Sequence, residues 1–490
     1  MAYILSLDEG TTSARAALYD REARRVAMRS APTVSHFPNS GWVEQDANQI
    51  WSAQINSVEE TLAQASATAT DIAAIGITNQ RETTVVWDRH TGEPVAPAIV
   101  WQCRRTAPRC KELGLHADAI TAKTGLVVDA YFSGTKIAWI LDNVAGAREK
   151  AAAGDLLFGN IDTWLIWKLT GGRVHATDPT NASRTMLFDL AGGDWDDAML
   201  NLIGVPRAMM PKVVASSAVI GHTSGDVFGA EVPIAGIAGD QQAALAGQAC
   251  FSKGLSKNTY GTGCFALLHT GGDRPVSKNK LLATRAASAD STAQFAVEGS
   301  IFIAGAAVQW LRDKLQIVAT APETETIAQS VTSTGGVYLV PAFVGLGSPH
   351  WNSEARGLLC GMTLGTGRAE IVRATLESMA YQTRELIEAM EADSGAKLAE
   401  LPVDGGAASN NFLMQFQADI LDTPVVRPAD AETTALGAAF LAGLATGYWK
   451  SVDEVNAFWR ADRRFEPRMT ASERDALWSG WKDAIRRATC

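Results

Sequence analysis

The chain has 490 residues, of which 47% are hydrophobic and 20% are charged, and its net charge is -10. Single hydrophobic cores stop growing at about 250–300 residues, so this length predicts at least two domains. The acidic balance argues against nucleic acid or an anionic membrane surface as the main partner, and any phosphate site must rely on local donors.

The first predicted element is a hairpin at residues 3–20. An apolar run ends at Asp8, a glycine and three hydroxyl residues form a turn at 10–13, and Arg15 opens a second apolar run. The backbone N–H groups, hydroxyls and guanidinium of such a turn suit a phosphate chain. Asp8 is placed to hold a metal ion or its waters. The alternative is an ordinary hairpin with a polar turn.

A further strand end carries polar residues. Residues 50–62 have apolar side chains at helical spacing, and the short apolar run at 72–78 predicts a buried strand that leads to Arg81 and Glu82. Strands are also predicted at 84–87 and 98–101. Side chains just beyond such strands occupy the usual ligand position of an open α/β sheet. The alternative for Arg81 and Glu82 is a surface ion pair, which contributes little.

The middle of the chain leads to a second acidic residue at a strand end. Residues 129–142 begin as a loop and continue as a helix, and Trp164 and Trp167 are expected to pack in the core. Residues 233–239 predict a strand that ends at Asp240, where a helix starts. This position suits an acid that faces a cleft. The alternative is a helix cap.

The second half repeats the plan of the first. Residues 257–268 predict two strands around a Gly-Thr-Gly turn, which resembles the opening hairpin. Residues 403–416 predict a strand, a glycine turn and a helix start, and paired glycines allow close approach to a flat ligand. Long helices are predicted at 299–316 and 371–392. Related turns in both halves suggest an ancient duplication with a cleft between the halves.

Several common nucleotide motifs are missing from the sequence. It contains no Gly-Lys dipeptide, no His-Arg-Asp and no Asp-Phe-Gly, which excludes a Walker A loop and a protein-kinase site. No GxGxxG motif follows a strand, which argues against a Rossmann dinucleotide site. Two hydroxyl-rich hairpins, two strand-end aspartates and one glycine turn remain to be explained.

The order of these features along the chain resembles the order found in the superfamily of sugar kinases, heat-shock ATPases and actin. Residues 132–139 and the stretch from Gly361 resemble the two signatures of the FGGY carbohydrate kinases, and the strings at 79–84, 100–106 and 239–244 resemble the branch that phosphorylates glycerol. The likeness covers about residues 3–449. It implies an α/β fold of two ribonuclease H-like domains with a central cleft. Residues 1–248 would bind polyol and phosphate, and residues 249–490 would bind the nucleotide.

The resemblance also implies roles for individual residues. It implies transfer of phosphate from ATP to glycerol with Mg²⁺, with Asp240 as the catalytic base and Asp8 and Asp240 near the metal. The implied substrate contacts are Arg81, Glu82, Trp101, Tyr131, Asp240, Gln241 and Phe265. The implied nucleotide contacts are Thr11, Thr12, Ser13, Arg15, Thr262, Gly305, Gln309, Gly406 and Asn410. Without the family, Gln309 would be taken as a solvated helix residue.

Other functions stay open at this point. The chain could be an FGGY kinase for a pentulose or another polyol, or a nucleotide-gated scaffold without enzymatic activity. The resemblance implies a homo-oligomer, either a dimer or a tetramer. Cysteines without disulfide spacing and an N-terminus without a signal-peptide pattern lead us to expect a cytoplasmic protein. Glu9 replaces the usual glutamine of the family, and we expect it to point away from phosphate or to pair with a base.

Overall fold

The computed structural model describes residues 2–395 and 397–490. The strands are β1 Tyr3–Glu9, β2 Ser13–Tyr19, β3 Arg25–Pro32, β4 Ser35–His36, β5 Glu44–Gln45, β6 Ile72–Asn79, β7 Val85–Asp88, β8 Ala98–Ile99, β9 Leu156–Gly159, β10 Ala176–Thr177, β11 Lys212–Val213, β12 Ser217–His222, β13 Pro233–Gly239, β14 Ser256–Tyr260, β15 Cys264–Gly271, β16 Leu282–Arg285, β17 Phe295–Ile301, β18 Tyr338–Val340, β19 Leu358–Cys360, β20 Leu401–Asp404, β21 Val425–Pro428 and β22 Ala461–Phe465.

The helices connect these strands and cover both sheets. They are α1 Ala47–Ala65, α2 Ala107–Leu113, α3 Ala117–Thr124, α4 Ser133–Asn143, α5 Ala147–Ala153, α6 Ile161–Leu169, α7 Pro179–Ala182, α8 Asp197–Ile203, α9 Gly225–Phe228, α10 Asp240–Gly247, α11 Gly305–Asp313, α12 Glu323–Gln329, α13 Arg368–Ser394, α14 Asn411–Leu421, α15 Thr433–Ala445, α16 Val452–Asn456 and α17 Ala471–Ala488. None of the described helices is long and apolar enough to cross a membrane.

Two large sheets share one plan. The first has the strand order β12-β13-β6-β1-β2-β3, and the second has the order β16-β17-β15-β14-β20-β21-β22. Each sheet contains an antiparallel meander, which is β1-β2-β3 in the first sheet and β14-β15-β17 in the second. Two more strands continue each sheet beyond the first strand of the meander and run parallel to it. They are β6 and β13 in the first sheet and β20 and β21 in the second. The repeated order confirms the predicted class of two ribonuclease H-like α/β units.

The two halves meet where helices α10 and α15 cross. A Cβ atom at Gly437 would lie 1.8 Å from the carbonyl oxygen of Ala243, and one at Gly247 would lie 1.9 Å from that of Thr433. Only glycine permits this approach of the two backbones. Helix α15 also lies against the first sheet, because a Cβ at Gly76 would lie 2.1 Å from the oxygen of Ala438. The crossing places Asp240, the first residue of α10, between the sheets.

Helix α15 follows the second sheet along the chain, yet it packs on the first. Its residues Ala439 and Phe440 share a buried cluster with Ile4 and Ala74. Conversely, Leu245 of α10 packs with Phe265 of the second sheet. The halves therefore interlock at these helices, and the division into residues 1–248 and 249–490 stays a prediction.

Most predicted elements are present, with one correction. Both hairpins, the strands that end at Asn79 and Gly239, and the helix that ends before Gly395 are where the sequence places them, and Trp87 packs against Trp164 with ring centroids 5.3 Å apart. The helix predicted at 299–316 is wrong. Residues 299–301 complete β17, where Gly299 pairs with a residue of β15, and α11 covers only Gly305–Asp313.

Candidate active site

The opening hairpin holds its arginine between two acids. The N–H of Gly10 donates to the carbonyl of Ser13 at 3.0 Å, which closes the turn, and Asp8 faces Arg15 in the strand register. Arg15 Nη1 lies 3.2 Å from Asp8 Oδ2 and 3.3 Å from Glu432 Oε2, just before α15. The guanidinium beside the turn at residues 10–13, here called the phosphate turn, thus connects the first half of the chain to the second.

A cavity of about 200 Å³, here called the polyol cavity, lies between the two hairpin turns. It brings together most of the residues implicated by the sequence, from both halves of the chain. They are Asp8, Thr11, Thr12, Ser13, Arg15, Arg81, Glu82, Trp101, Tyr131, Asp240, Gln241, Thr262 and Phe265.

Arg81 and Glu82 are buried groups of this cavity, so the alternative of a surface ion pair is wrong. Arg81 Nε lies 3.0 Å from Asp240 Oδ1, and Arg184 Nε donates to Glu82 Oε1 at 2.5 Å. Burial raises the pKa of Glu82, while Arg184 and Arg81 oppose that rise. The φ of Glu82 is +61°, a left-handed backbone conformation that costs energy in a residue other than glycine.

Asp240 is the first residue of α10 and not its cap. The cap position is occupied by Gly239, and Asp240 turns its side chain into the polyol cavity. Its Oδ1 accepts the N–H of Gln241 at 2.8 Å, and Oδ2 has no such contact among the described residues. One carboxylate oxygen is therefore fixed, while the other is available to a hydroxyl group.

Aromatic rings form the apolar side of the polyol cavity. Trp101 lies with its ring centroid 5.6 Å from Tyr131 and 6.3 Å from Phe265, both in edge-to-face geometry. Its indole Nε1 donates to Thr11 Oγ1 at 2.9 Å, so this wall is fixed to the phosphate turn. A small pocket with apolar walls and a few convergent polar groups is typical of a site for a small polar ligand.

A buried ammonium group orients Gln241. Lys257 Nζ donates to Gln241 Oε1, to Thr259 Oγ1 at 2.7 Å and to the Phe265 carbonyl at 3.2 Å. An ammonium group cannot accept hydrogen bonds, so the contacted amide atom is the oxygen, and the N–H₂ group of Gln241 is left for the cavity. Burial lowers the pKa of Lys257 to about 8.

A second cavity of about 380 Å³ adjoins the polyol cavity and shares Gly261 and Thr262 with it. The remaining residues implied for nucleotide binding line it, namely Gly305, Gln309, Gly406 and Asn410. A Cβ at Gly406 would meet no atom within 4 Å, so the backbone faces open space there. Asn410 caps α14 by accepting the Leu413 N–H at 3.0 Å.

Asp8 and Asp240 both line the polyol cavity and are the candidate metal ligands. Burial raises the pKa of Asp8 to about 6, and Asp240 and Glu432 add to that rise, which a bound cation would reverse. The described residues contain no group of three or more His, Cys, Asp or Glu that could hold a metal alone. Two carboxylates beside a phosphate site nevertheless fit Mg²⁺, which keeps several waters and takes phosphate oxygens as further ligands.

Glu9 points away from this site. Side chains alternate along a strand, so Glu9 shares its face of β1 with Leu5 and Leu7, opposite to Asp8. It is fully buried, and neither carboxylate oxygen has a hydrogen-bond partner among the described residues. Burial raises the pKa of Glu9 well above its usual value, and the nearby Asp8 adds to the effect. Glu9 is therefore a buried acid behind the phosphate turn, in surroundings that favour its neutral form.

Four charged residues that contact the candidate site were not found from the sequence: Arg184, Lys257, Glu298 and Glu432. Lys257 stands at the start of the second hairpin, so its position could have suggested it. Glu298 directly precedes the stretch that was predicted to be helical. Arg184 and Glu432 carry no local signal, because their partners lie 102 and 417 residues away along the chain.

The comparison with known proteins agrees with this geometry. Residues 3–247 match the N-terminal domain and residues 256–446 match the C-terminal domain of the FGGY family of carbohydrate kinases. The chain belongs to this family.

Glycerol kinase 2 of Thermotoga maritima is 59% identical to this FGGY kinase over 490 residues, covering 100% of this chain and 99% of the relative. Glycerol kinase of Symbiobacterium thermophilum is 58% identical over 488 residues, with 99% and 98% covered. The crystal structure of Plasmodium falciparum glycerol kinase with ADP has a TM-score of 0.91 at 36% identity, with 100% and 99% covered. A xylulose kinase from Lactobacillus acidophilus shares the fold, with a TM-score of 0.87 at 20% identity and 100% and 99% covered.

Proposed function

We propose that this kinase transfers the terminal phosphoryl group of ATP to glycerol, forming glycerol 3-phosphate and ADP. The polyol cavity carries the proposal, because Arg81, Glu82, Asp240 and Gln241 offer donors and acceptors for three hydroxyls beside an aromatic wall. The full-length likeness to proteins named glycerol kinase supports the choice of acceptor. A pocket built from buried hydrogen-bonding groups rejects analogues that lack a hydroxyl.

In the proposed reaction, Asp240 is the general base. Its free carboxylate oxygen accepts the proton of a terminal hydroxyl, and the hydroxyl oxygen forms a bond to the γ-phosphorus. The bond from that phosphorus to the bridging oxygen breaks, and ADP leaves with the electron pair. A positioned base contributes about 10²–10⁴-fold, and alignment of the two substrates contributes most of the rest.

The two hairpin turns would hold the phosphates. Thr11, Thr12, Ser13 and Thr262 provide hydroxyl and backbone donors, and Arg15 provides positive charge. Mg²⁺ at Asp8 and Asp240 would neutralise charge on the transferring phosphate. Gly305, Gln309, Gly406 and Asn410 would contact the nucleoside in the second cavity.

An acceptor panel tests the proposed function. The purified protein with ATP and Mg²⁺ should release ADP with glycerol and much more slowly with xylulose, ribulose or gluconate. A preference for a pentulose would refute glycerol as the acceptor, but the protein would still be a kinase. ADP release that is independent of every acceptor would indicate a nucleotide-gated scaffold instead. A sample without acceptor gives the baseline.

Three broader expectations belong to the same proposal. We place the reaction in the cytoplasm, where ATP is available and where the free thiols of the six cysteines would stay reduced. We expect the two predicted domains, residues 1–248 and 249–490, to close over the substrates and exclude water. The homo-oligomer implied by the family, a dimer or a tetramer, is to be checked by light scattering during size-exclusion chromatography.

A further inference from the structure

Glu298 is a fully buried carboxylate in the second half of the chain that pairs with Arg81 of the first half. It lies on β17, and its Oε2 accepts from Arg81 Nη1 at 2.5 Å while its Oε1 accepts from Arg81 Nη2 at 3.0 Å. Arg184 Nη2 lies 3.1 Å from the same Oε1, and Ser300 Oγ donates to it at 3.1 Å. Arg81 lines the polyol cavity, whereas Glu298 does not.

This pairing determines how Arg81 faces the acceptor. A guanidinium is planar, so fixing two of its nitrogen atoms also fixes the direction of the third. Glu298 holds Nη1 and Nη2, and Gln242 Oε1 also accepts from Nη1 at 3.3 Å, so that Arg81 Nε lies 3.0 Å from Asp240 Oδ1. A freely rotating Arg81 could instead place both terminal nitrogens on Asp240 and occupy the carboxylate that must meet the substrate hydroxyl.

The balance of buried charges also supports a fixed pairing of Glu298 with Arg81. Four buried charged side chains form a continuous series of ion pairs, in which Glu82 contacts Arg184, Arg184 contacts Glu298, and Glu298 contacts Arg81. Burial alone would raise the pKa of Glu298, but Arg184 and Arg81 together lower it to about 2, so the carboxylate stays ionised. Loss of this charge would leave Arg184 with Glu82 alone and Arg81 with Asp240 alone as acidic partners.

We propose that Glu298 is a positioning residue for the acceptor: it orients Arg81 across the boundary between the halves, so that polyol binding depends on it and nucleotide binding does not. The inference rests on the proposed function only in the choice of glycerol as the acceptor. If the acceptor panel selects another polyol, the same experiment is run with that polyol, and so either idea can fail alone.

The test is a double-mutant cycle on the acceptor KM. Glu298→Gln keeps the shape and removes the charge, and we expect it to raise the KM for glycerol at least tenfold while the Kd for ADP changes less than twofold. Because Glu298 acts through Arg81, the same change made in an Arg81→Met background should alter the glycerol KM less than twofold further. Glu298→Asp, which keeps the charge, should recover part of the loss.

Controls separate this role from a structural one. Glu377→Gln removes a buried carboxylate that accepts from Arg373 at 2.7 Å outside the polyol cavity, and it should leave the glycerol KM within twofold. If Glu298→Gln does not fold, the charge-balanced Arg81→Met/Glu298→Gln variant is compared with Arg81→Met alone. An unchanged glycerol KM in the single variant, equal effects in both backgrounds, or an equal loss of ADP binding would overturn the proposal.

Discussion

At the scale of single residues, the two oxygen atoms of the Asp240 carboxylate differ in their contacts. Its Oδ1 is held by the Gln241 N–H and by Arg81 Nε, which fixes the side chain in the polyol cavity. The second oxygen has no hydrogen-bond partner among the described residues and would be free to meet a substrate hydroxyl. The base would therefore be positioned before the acceptor arrives, which is the arrangement that general-base catalysis needs.

Asp240→Asn should lower turnover strongly without preventing acceptor binding. The amide keeps the shape and the contact oxygen but cannot take up the proton, so we expect kcat to fall by about 10²–10⁴-fold. Calorimetry should still detect glycerol binding, with an affinity within about tenfold of the wild type. Retention of more than a tenth of the wild-type kcat would remove Asp240 from the role of base.

Glu9 allows a prediction about stability and pH. The folded state raises the pKa of Glu9 above the ordinary value of 4.5, so the folded protein keeps a proton that the unfolded chain releases. The contribution of Glu9 to stability is therefore fully present below pH 4.5 and is lost as the pH rises toward the folded-state pKa, by at most about 1.4 kcal/mol per pH unit for one proton. Glu9→Gln removes this loss and should be more stabilising at pH 8 than at pH 5.

Urea unfolding of Glu9→Gln and wild type at the two pH values measures the effect. The exposed Glu60→Gln is the control and should give the same difference from wild type at pH 5 and pH 8. A Glu9→Gln effect that does not change between the two pH values would mean that Glu9 is ionised in the folded protein.

At the scale of elements, the crossing of α10 and α15 supports the active site. Gly437→Ala would improve the helix propensity of α15 by up to about 1 kcal/mol, but its Cβ would lie 1.8 Å from the Ala243 carbonyl oxygen. Overpacking against backbone costs roughly 1–3 kcal/mol or more, so the net effect should be destabilising. Since α10 begins at Asp240, kcat should fall as well.

Thermal unfolding and steady-state kinetics of Gly437→Ala check this expectation. The matched control is Gly114→Ala, because Gly114 has φ -53° and a Cβ there meets no atom within 4 Å. That control should be neutral or slightly stabilising and fully active. Equal melting temperatures for the two variants would show that the helices can separate at little cost.

The sequence predicted the elements that carry a local signal. Both phosphate hairpins, the strand before Arg81 and the strand before Asp240 combine apolar runs with polar ends, and this pattern is visible without any tertiary contact. The strand β17 was missed because the apolar residues of α11 follow it after only three residues, and the two runs together imitated one long helix.

The same reasoning explains which site residues were found. The predicted site residues lie within or beside motifs, and all of them line one of the two cavities, while their roles stay predictions. Arg184 and Glu298 were missed because their importance comes from burial beside Arg81 and Glu82, which only the folded chain creates. Pairings between distant charged residues have no period and no turn signal in a single sequence.

At the scale of the whole molecule, charged contacts join the halves on both sides of the cleft. Arg81 with Glu298 lies on the acceptor side and is fully buried. Arg15 with Glu432 lies on the phosphate side, where the two side chains are 36% and 29% exposed. The first contact can act as a permanent part of the structure, while the second is weak enough to be exchanged for a phosphate group.

Glu432→Gln should therefore strengthen nucleotide binding. The change releases Arg15 from one of its two carboxylates and removes a negative charge near the phosphate turn. A partly exposed ion pair contributes about 0–1 kcal/mol, so we expect the Kd for ADP to decrease by up to about fivefold. Calorimetry without acceptor measures this affinity, and the KM for glycerol should stay within twofold of the wild-type value.

Glu400→Gln is the matched control for this prediction, because it breaks an ion pair between Glu400 and Arg464 on the surface of the second half, away from both cavities. It should leave ADP binding unchanged. If Glu432→Gln instead weakens ADP binding, then Glu432 holds Arg15 in its binding orientation and does not compete with phosphate. The sign of the change thus decides whether the contact across the phosphate side of the cleft must open before the nucleotide binds.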